Sequence, residues 1–203
     1  MSILLVRHGE TASNAARVLQ TPDIPLSAHG IAQADRLALR RSKHGVAAIV
    51  SSDYARARMT AERIGAATGA PIEIWPELRE RNFGTLRGRS YAELGFDPFA
   101  PDYAPPEGES WEAFHERTGQ AWPRVWNRRR RMRGNLAVIT HGLVVRAFAE
   151  RNVGLGGVEA PVSWPNTSLT IVSSEPPPSL ELLNCVEHLA ELDSARAATL
   201  GRA

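Results

Sequence analysis

Two short apolar runs, Ile3-Leu4-Leu5-Val6 and Leu136-Ala137-Val138-Ile139, each lead within two residues to a histidine followed by glycine: His8-Gly9 and His141-Gly142. Four consecutive apolar residues between polar neighbours read as a strand buried on both faces, the kind at the centre of a parallel sheet with helices above and below. Open sheets of that type hold ligands in a crevice outside the carboxyl ends of their strands. The two runs therefore confine the chain to an α/β fold and bring both histidines to the crevice edge.

The remaining pattern agrees. Strand candidates are 3–7, 46–51, 71–75, 136–140, 167–173 and 180–185, with helical spacing between most of them. Ser27 is a suitable N-cap for a helix through Ile31, Ala34, Leu37 and Ala38, and Asp53 is expected to begin another through Ala57, Thr60, Ala61 and Ile64. The expected architecture is a single three-layer α/β/α domain, with a mainly parallel central sheet and helices on both faces. It is expected to span residues 1–192, followed by a poorly ordered tail at 193–203 that has few large apolar residues.

Two stretches depart from this regularity. Residues 95–108 hold Pro98, Pro101, Pro105 and Pro106 between Gly95 and Gly108, which forbids a regular element and suggests a functional loop such as a lid. After it, Trp111, Phe114, Thr118, Ala121, Trp122 and Val125 follow helical spacing, and Pro123 is expected to kink or divide that helix.

Composition narrows the function. No apolar run approaches the ~20 residues of a membrane span, and Met1-Ser2 leads directly into the first strand, with no space for a signal peptide. The single cysteine, Cys185, cannot form an internal disulfide. A cytoplasmic protein without a membrane partner is expected. The net charge of +2 does not suggest nucleic acid, and the basic run Arg128–Arg131 with Arg133 reads as a solvated helix end.

The polar segments after the strands carry the chemistry. Arg7-His8-Gly9-Glu10-Thr11 leaves the first strand, with Gly9 expected to let the backbone approach an anion and Asn14 a further contact. Ser51-Ser52 through Ala61 leaves another strand and opens a helix. Arg56 and Arg58, two apart, cannot share one helix face, so one is expected in a site and the other beside solvent or an acid. Glu80 stands among Arg79, Arg81 and Arg87 and by itself reads as an ion-pair partner. Two histidines with arginines nearby suggest a phosphate pocket, since the planar guanidinium fork holds two phosphate oxygens at once.

In this order the blocks resemble the histidine phosphatase superfamily, also called phosphoglycerate-mutase-like. They are Arg7-His8-Gly9-Glu10-Thr11 with Asn14; Ser51-Ser52 through Arg56-Ala57 and Thr60-Ala61; Leu78-Arg79-Glu80 through Gly84 and Gly88; and Thr140-His141-Gly142. Weaker echoes are Leu19-Gln20, Asp23-x-Pro25-Leu26, Pro106-x-Gly108-Glu109-Ser110 and Asn166-Thr167-Ser168. The resemblance implies His8 as the nucleophile that becomes phosphohistidine. It implies Arg7, Arg56 and a protonated His141 as the phosphate pocket, and Glu80 as the acid/base, kept protonated by the phosphate dianion. Arg56, not Arg58, takes the pocket position. Substrate contacts would come from Asn14, Gln20, Thr21, Arg81 and Gly142. No metal or other cofactor is implied.

Departures lie on the leaving-group side: Thr21 where many relatives have glycine, and Leu86-Arg87 where many phosphatases have Trp-Glu. The segment between Gly88 and Trp111 is short, with no arginine pair beyond Arg89, unlike the basic insertion of mutases. The favoured expectation is a phosphatase acting on a small phosphorylated metabolite, a sugar phosphate or phosphoglycerate derivative, with Tyr91, Phe96, Phe99 and Tyr103 walling the site. The alternative is a cofactor-dependent phosphoglycerate mutase, and the least favoured a non-catalytic phosphate-binding module. A homodimer is left open.

Overall fold

The computed structural model describes residues 1–42 and 45–192; the tail expected at 193–203 lies outside the described residues. Six strands form one sheet: β1 (Ser2–Arg7), β2 (Val46–Ser51), β3 (Ile72–Ile74), β4 (Asn135–Thr140), β5 (Leu169–Ser173) and β6 (Leu180–Cys185). Their order is β3-β2-β4-β1-β5-β6. The pairings β3–β2, β2–β4 and β4–β1 are parallel, whereas β5 runs antiparallel to both neighbours. The sheet is thus mainly parallel with one reversed strand, β5, and the short 174–179 connection joins β5 to β6 as a hairpin.

Alternate residues of the central strands feed two separate cores. Leu4, Val6, Ile49, Ala137 and Ile139 pack under α2 (Ala28–Ser42) and α3 (Ala55–Thr68). Ile3, Leu5, Val50, Leu136 and Val138 pack under α5 (Trp111–Arg130) and α6 (Gly142–Ala147) on the other face. Burying both faces explains why these strands read as unbroken apolar runs. Two further short helices, α1 (Ala12–Ala15) and α4 (Tyr91–Leu94), lie in the loops over the strand ends.

Local chemistry adjusts several expectations. Ser27 caps α2 through Gly30 N (3.0 Å). Asp53 does not cap α3: Tyr54 holds the N-cap position and the Asp53 carboxylate pairs instead with Arg79. Pro123 does not divide α5, which runs for 20 residues around it. The buried stripe of Phe114, Thr118, Ala121, Trp122 and Val125 outweighs the one hydrogen bond proline removes. The basic run is also less solvated than expected, since Arg129 is buried and donates to the Met132 carbonyl, and Arg128 pairs with Glu73 on β3. No helix among the described residues is long and apolar enough to cross a membrane.

Candidate active site

Strand order brings the site together. β2, β4 and β1 are adjacent and parallel, so the residues just past their carboxyl ends, Ser52, His141 and His8, become neighbours. His8 N donates to Thr140 O (2.9 Å) and Ser52 N to Ile139 O (3.0 Å), extending the ladder by one bond on each side. The two imidazoles meet edge to face with centroids 5.1 Å apart, and both are buried.

The His8 ring is oriented by its surroundings. Its Nδ1 lies 2.7 Å from Gly9 O, a carbonyl that can only accept, so Nδ1 carries the proton. Nε2 therefore keeps its lone pair and accepts from Arg56 Nε at 3.2 Å. Burial, together with the charges of Arg56 and Arg7, holds the His8 pKa well below the ordinary histidine value, so the ring is neutral. Gly9 has a packing reason besides the expected approach to an anion. A Cβ there would stand 2.5 Å from Gly30 O, so Gly9 lets α2 close onto the loop.

Arg56, in the first turn of α3, is buried and also donates to Thr21 O (2.9 Å). Burial lowers its pKa to about 10, which leaves it charged at neutral pH. Arg58 points outward toward Glu62 (3.9 Å), so the two arginines divide as their spacing requires. Arg7 donates through Nη1 to Trp164 O, and its Nε is buried without a partner. His141 Nε2 meets Ser52 Oγ at 2.9 Å, and its Nδ1 is likewise buried without a partner. Two ring or guanidinium nitrogens beside His8 are thus committed to nothing in the protein.

His141 differs from the protonated state expected of it. Burial and the charges of Arg56, His8 and Arg7 hold its pKa well below the usual value. An anion among these groups acts in the opposite direction and favours the imidazolium.

Glu80 follows the turn Pro76–Leu78, which Thr140 Oγ1 ties to the end of β4 by donating to Leu78 O (2.6 Å). Its carboxyl accepts from Arg81 N (2.9 Å) and Leu143 N (3.2 Å). Desolvation in the crowded cleft raises its pKa despite those bonds and the nearby arginines. The protein alone thus biases Glu80 toward the protonated form.

The other expected contacts separate into two groups. Asn14 and Gln20 line the cleft with Arg7, His8, Arg56, Glu80 and Arg81. Asn14 Oδ1 accepts from Thr11 N and Asn166 Nδ2 (both 3.2 Å), leaving its NH2 for the cleft. Gln20 accepts from Thr11 Oγ1 (2.8 Å), and Gly142 packs on the Arg7 guanidinium. Thr21 takes part through its carbonyl, while its hydroxyl turns to Asp23. Arg81 is buried, stacks 4.1 Å over the Trp111 ring, and gives its donors to the carbonyls of Glu109, Pro98 and Tyr103. It is the pin of the 95–108 loop.

Among the aromatic residues expected to wall the site, Tyr91 and Phe99 line the cleft, Phe99 meeting Tyr91 and Phe83 at 5.7 and 5.4 Å. Phe96 and Tyr103 pack on each other farther out. The cleft is small, about 70 Å³. Several contributors were not singled out from sequence: Ser52, which orients His141; Trp164, whose carbonyl holds Arg7; and Asn166, which donates to His8 O (3.0 Å). Ser52 and Asn166 each sit in a segment that the sequence pattern marks, but Trp164 acts through its backbone and leaves no signal. Among the described residues no three His, Cys, Asp or Glu side chains gather as metal ligands do.

An α/β sheet with two buried histidines and two buried arginine side chains gathered at its parallel strand ends defines the structural class. The chain belongs to the histidine phosphatase superfamily, branch 1, whose family model matches residues 3–185. It is 45% identical over 95 residues to a probable phosphoglycerate mutase, GpmB, of Escherichia fergusonii, covering 46% of this chain and 44% of that protein. It is 38% identical over 131 residues to the protein of the same name from Escherichia coli O1:K1, covering 60% and 61%. The chain thus spans less than two thirds of these relatives. Among solved structures, a phosphoglycerate mutase from Thermus thermophilus superposes with a TM-score of 0.66 at 34% identity, covering 90% of this chain and 97% of that one. A mycobacterial glucosyl-3-phosphoglycerate phosphatase complexed with VO3 gives 0.76 at 25%, covering 91% and 99%.

Proposed function

We propose that the protein is a phosphomonoesterase for a small phosphorylated metabolite, working through a phosphohistidine on His8 without a metal ion. The observation that carries this reading is the ring state of His8: Nδ1 is committed to Gly9 O, and Nε2 keeps its lone pair, accepting from Arg56 Nε in a cleft that Arg7 also lines. Nε2 attacks phosphorus, the P–N bond forms and the ester P–O bond breaks. Protonated Glu80 gives its proton to the departing alkoxide. The resulting carboxylate then takes a proton from water, whose oxygen attacks phosphorus and frees His8. Arg7, Arg56 and the unpartnered Nδ1 of His141 hold the equatorial oxygens, where charge accumulates during transfer.

Support for hydrolysis over isomerisation comes from the roof. The 95–108 loop offers Phe99 to the cleft and contains no arginine, and Arg81, which pins that loop, is spent on its carbonyls. The names of the relatives favour the second reading, a phosphoglycerate mutase, which shares the phosphohistidine step and returns the phosphoryl group to substrate. A radiolabelled phosphomonoester, quenched in alkali because phosphohistidine is acid-labile, is expected to label wild type and not His8→Ala. Unlabelled protein at full turnover excludes the mechanism. Release of inorganic phosphate, undiminished by EDTA, distinguishes the phosphatase from the mutase and checks metal independence.

A further inference from the structure

Each arginine of the cleft can be followed to its partners, and one is left over. Arg7, Arg56 and Arg81 are spent as described. Arg87 makes one bond, from Nη2 to the phenol oxygen of Tyr54 (2.8 Å). Among the described residues no carboxylate pairs with it. Its side chain is partly exposed, and none of its nitrogens is a buried atom lacking a partner, so its other N–H groups open toward solvent.

The local charge is unbalanced. Arg56, Arg79 and Arg87 stand 5.1, 5.7 and 6.0 Å from the centre of the Tyr54 ring, and among the described residues the only carboxylate bonded to any of them is Asp53, on Arg79. A phosphate dianion on His8 answers Arg56 and Arg7. Arg87 remains.

Its position says what it faces. Arg87, Tyr54 and Glu80 line the phosphate cleft and also an adjoining chamber of about 870 Å³, whose other carboxylates, Asp53, Glu77 and Glu109, are each already paired with an arginine, Arg79, Arg124 and Arg117. If Glu80 protonates the leaving oxygen, the group attached to that oxygen extends from Glu80 into the chamber Glu80 shares, past Arg87. We propose that Arg87, steadied by Tyr54, is a specificity-determining residue that binds a second anionic group on the alcohol side of the substrate. The substrate is then a phosphomonoester whose alcohol carries a carboxylate or a second phosphate. This rests on the phosphomonoesterase reading.

The test uses matched pairs. 3-Phosphoglycerate against glycerol 3-phosphate exchanges a carboxylate for a hydroxymethyl group; 1,3-propanediol bisphosphate against its monophosphate reports on a second phosphate. Wild type is expected to prefer the anionic member of at least one pair. Arg87→Gln is expected to reduce that preference about tenfold, the loss of one charge-assisted contact at a partly exposed site, mostly in KM. Arg87→Lys, which keeps the charge, is expected to retain part of it. No preference in either pair, or a preference that survives in Arg87→Gln, overturns the subsite. If p-nitrophenyl phosphate is hydrolysed in a His8-dependent manner while that occurs, the phosphomonoesterase reading stands and only the subsite falls. If no phosphomonoester is hydrolysed, both fall.

Discussion

The floor and the roof of the cleft are built by different means. The floor, His8, His141, Arg56 and Ser52, sits at the ends of three adjacent parallel strands and the first turn of α3, each backbone position fixed by sheet ladders and buried packing. The roof, residues 95–110, has no ladder. It is held by side chains reaching in from elsewhere: Arg81 on three carbonyls, Trp111 Nε1 on Ala100 O (2.8 Å), and Arg117 bidentate on Glu109 (2.8 Å each). The difference teaches where each function can change. On the proposed reading, phosphoryl chemistry needs atoms fixed in place and belongs on the sheet, whereas leaving-group choice can be rewritten in a loop without disturbing it.

If the floor alone carries the chemistry, its variants must fail for every substrate alike. His8→Ala is expected to lose turnover altogether, because the proposed phosphoryl acceptor is His8 Nε2, the ring nitrogen whose proton-free state is fixed by the Nδ1 bond to Gly9 O. Comparable rates for that variant with any phosphomonoester break the distinction. Glu80→Gln comes next, because Glu80 lies where floor meets roof. Loss of a general acid costs roughly 10²–10⁴-fold, and only for leaving groups that need a proton. Alkyl phosphates are therefore expected to slow by at least about a hundredfold and p-nitrophenyl phosphate far less. Equal losses in the two assays reduce Glu80 to a structural part of the floor.

The roof is tested by its pin. Arg81→Met keeps the stem over Trp111 but leaves three loop carbonyls short of a donor, at about 1 kcal/mol each. A loss of about 2–3 kcal/mol in urea unfolding is expected, with faster proteolytic cleavage inside 95–108 and a higher KM for metabolite substrates. A variant as stable and as protease-resistant as wild type shows that the roof stands without Arg81.

The same contrast explains what was legible in the sequence. His8 and His141 announce themselves because each follows an apolar run, whereas spacing separates Arg56 from Arg58 without saying which enters the site, and the family resemblance selects Arg56. Arg81 could be named but not understood, since its partners at positions 98, 103 and 109 are backbone carbonyls that no side-chain pattern encodes. The packing role of Gly9 is illegible for a related reason: the atom it makes room for belongs to Gly30, brought near only by tertiary packing. Asp53 was assigned to a cap by local rules and was claimed instead by Arg79, a partner 26 residues away. Period and punctuation report on what a strand or helix does to its own neighbours, and they are silent on long-range carbonyl contacts.

The smallest expected effect is on stability, and it too separates floor from roof. His8 and His141 are both held neutral in the folded protein, with pKa values well below 6.5, whereas in the unfolded chain they titrate near that value. Below about pH 6.5 the unfolded state binds protons that the folded state refuses. Stability is therefore complete above that pH and falls as the pH drops, by up to about 1.4 kcal/mol per unit for each histidine. Glu80 acts in the opposite sense. Its folded pKa is raised above 4.5, so its contribution is present below that value and is lost as pH rises through the folded pKa. Measuring Tm between pH 7.5 and 5.5 in a Glu80→Gln background removes the Glu80 contribution, and His141→Asn in that background is expected to reduce the slope, leaving the part due to His8 and to His115, whose pKa burial also lowers. Inorganic phosphate is expected to flatten it as well, since an anion between Arg7 and Arg56 favours protonated His141. An unchanged slope in both cases means that the floor histidines are not a coupled pair facing one anion.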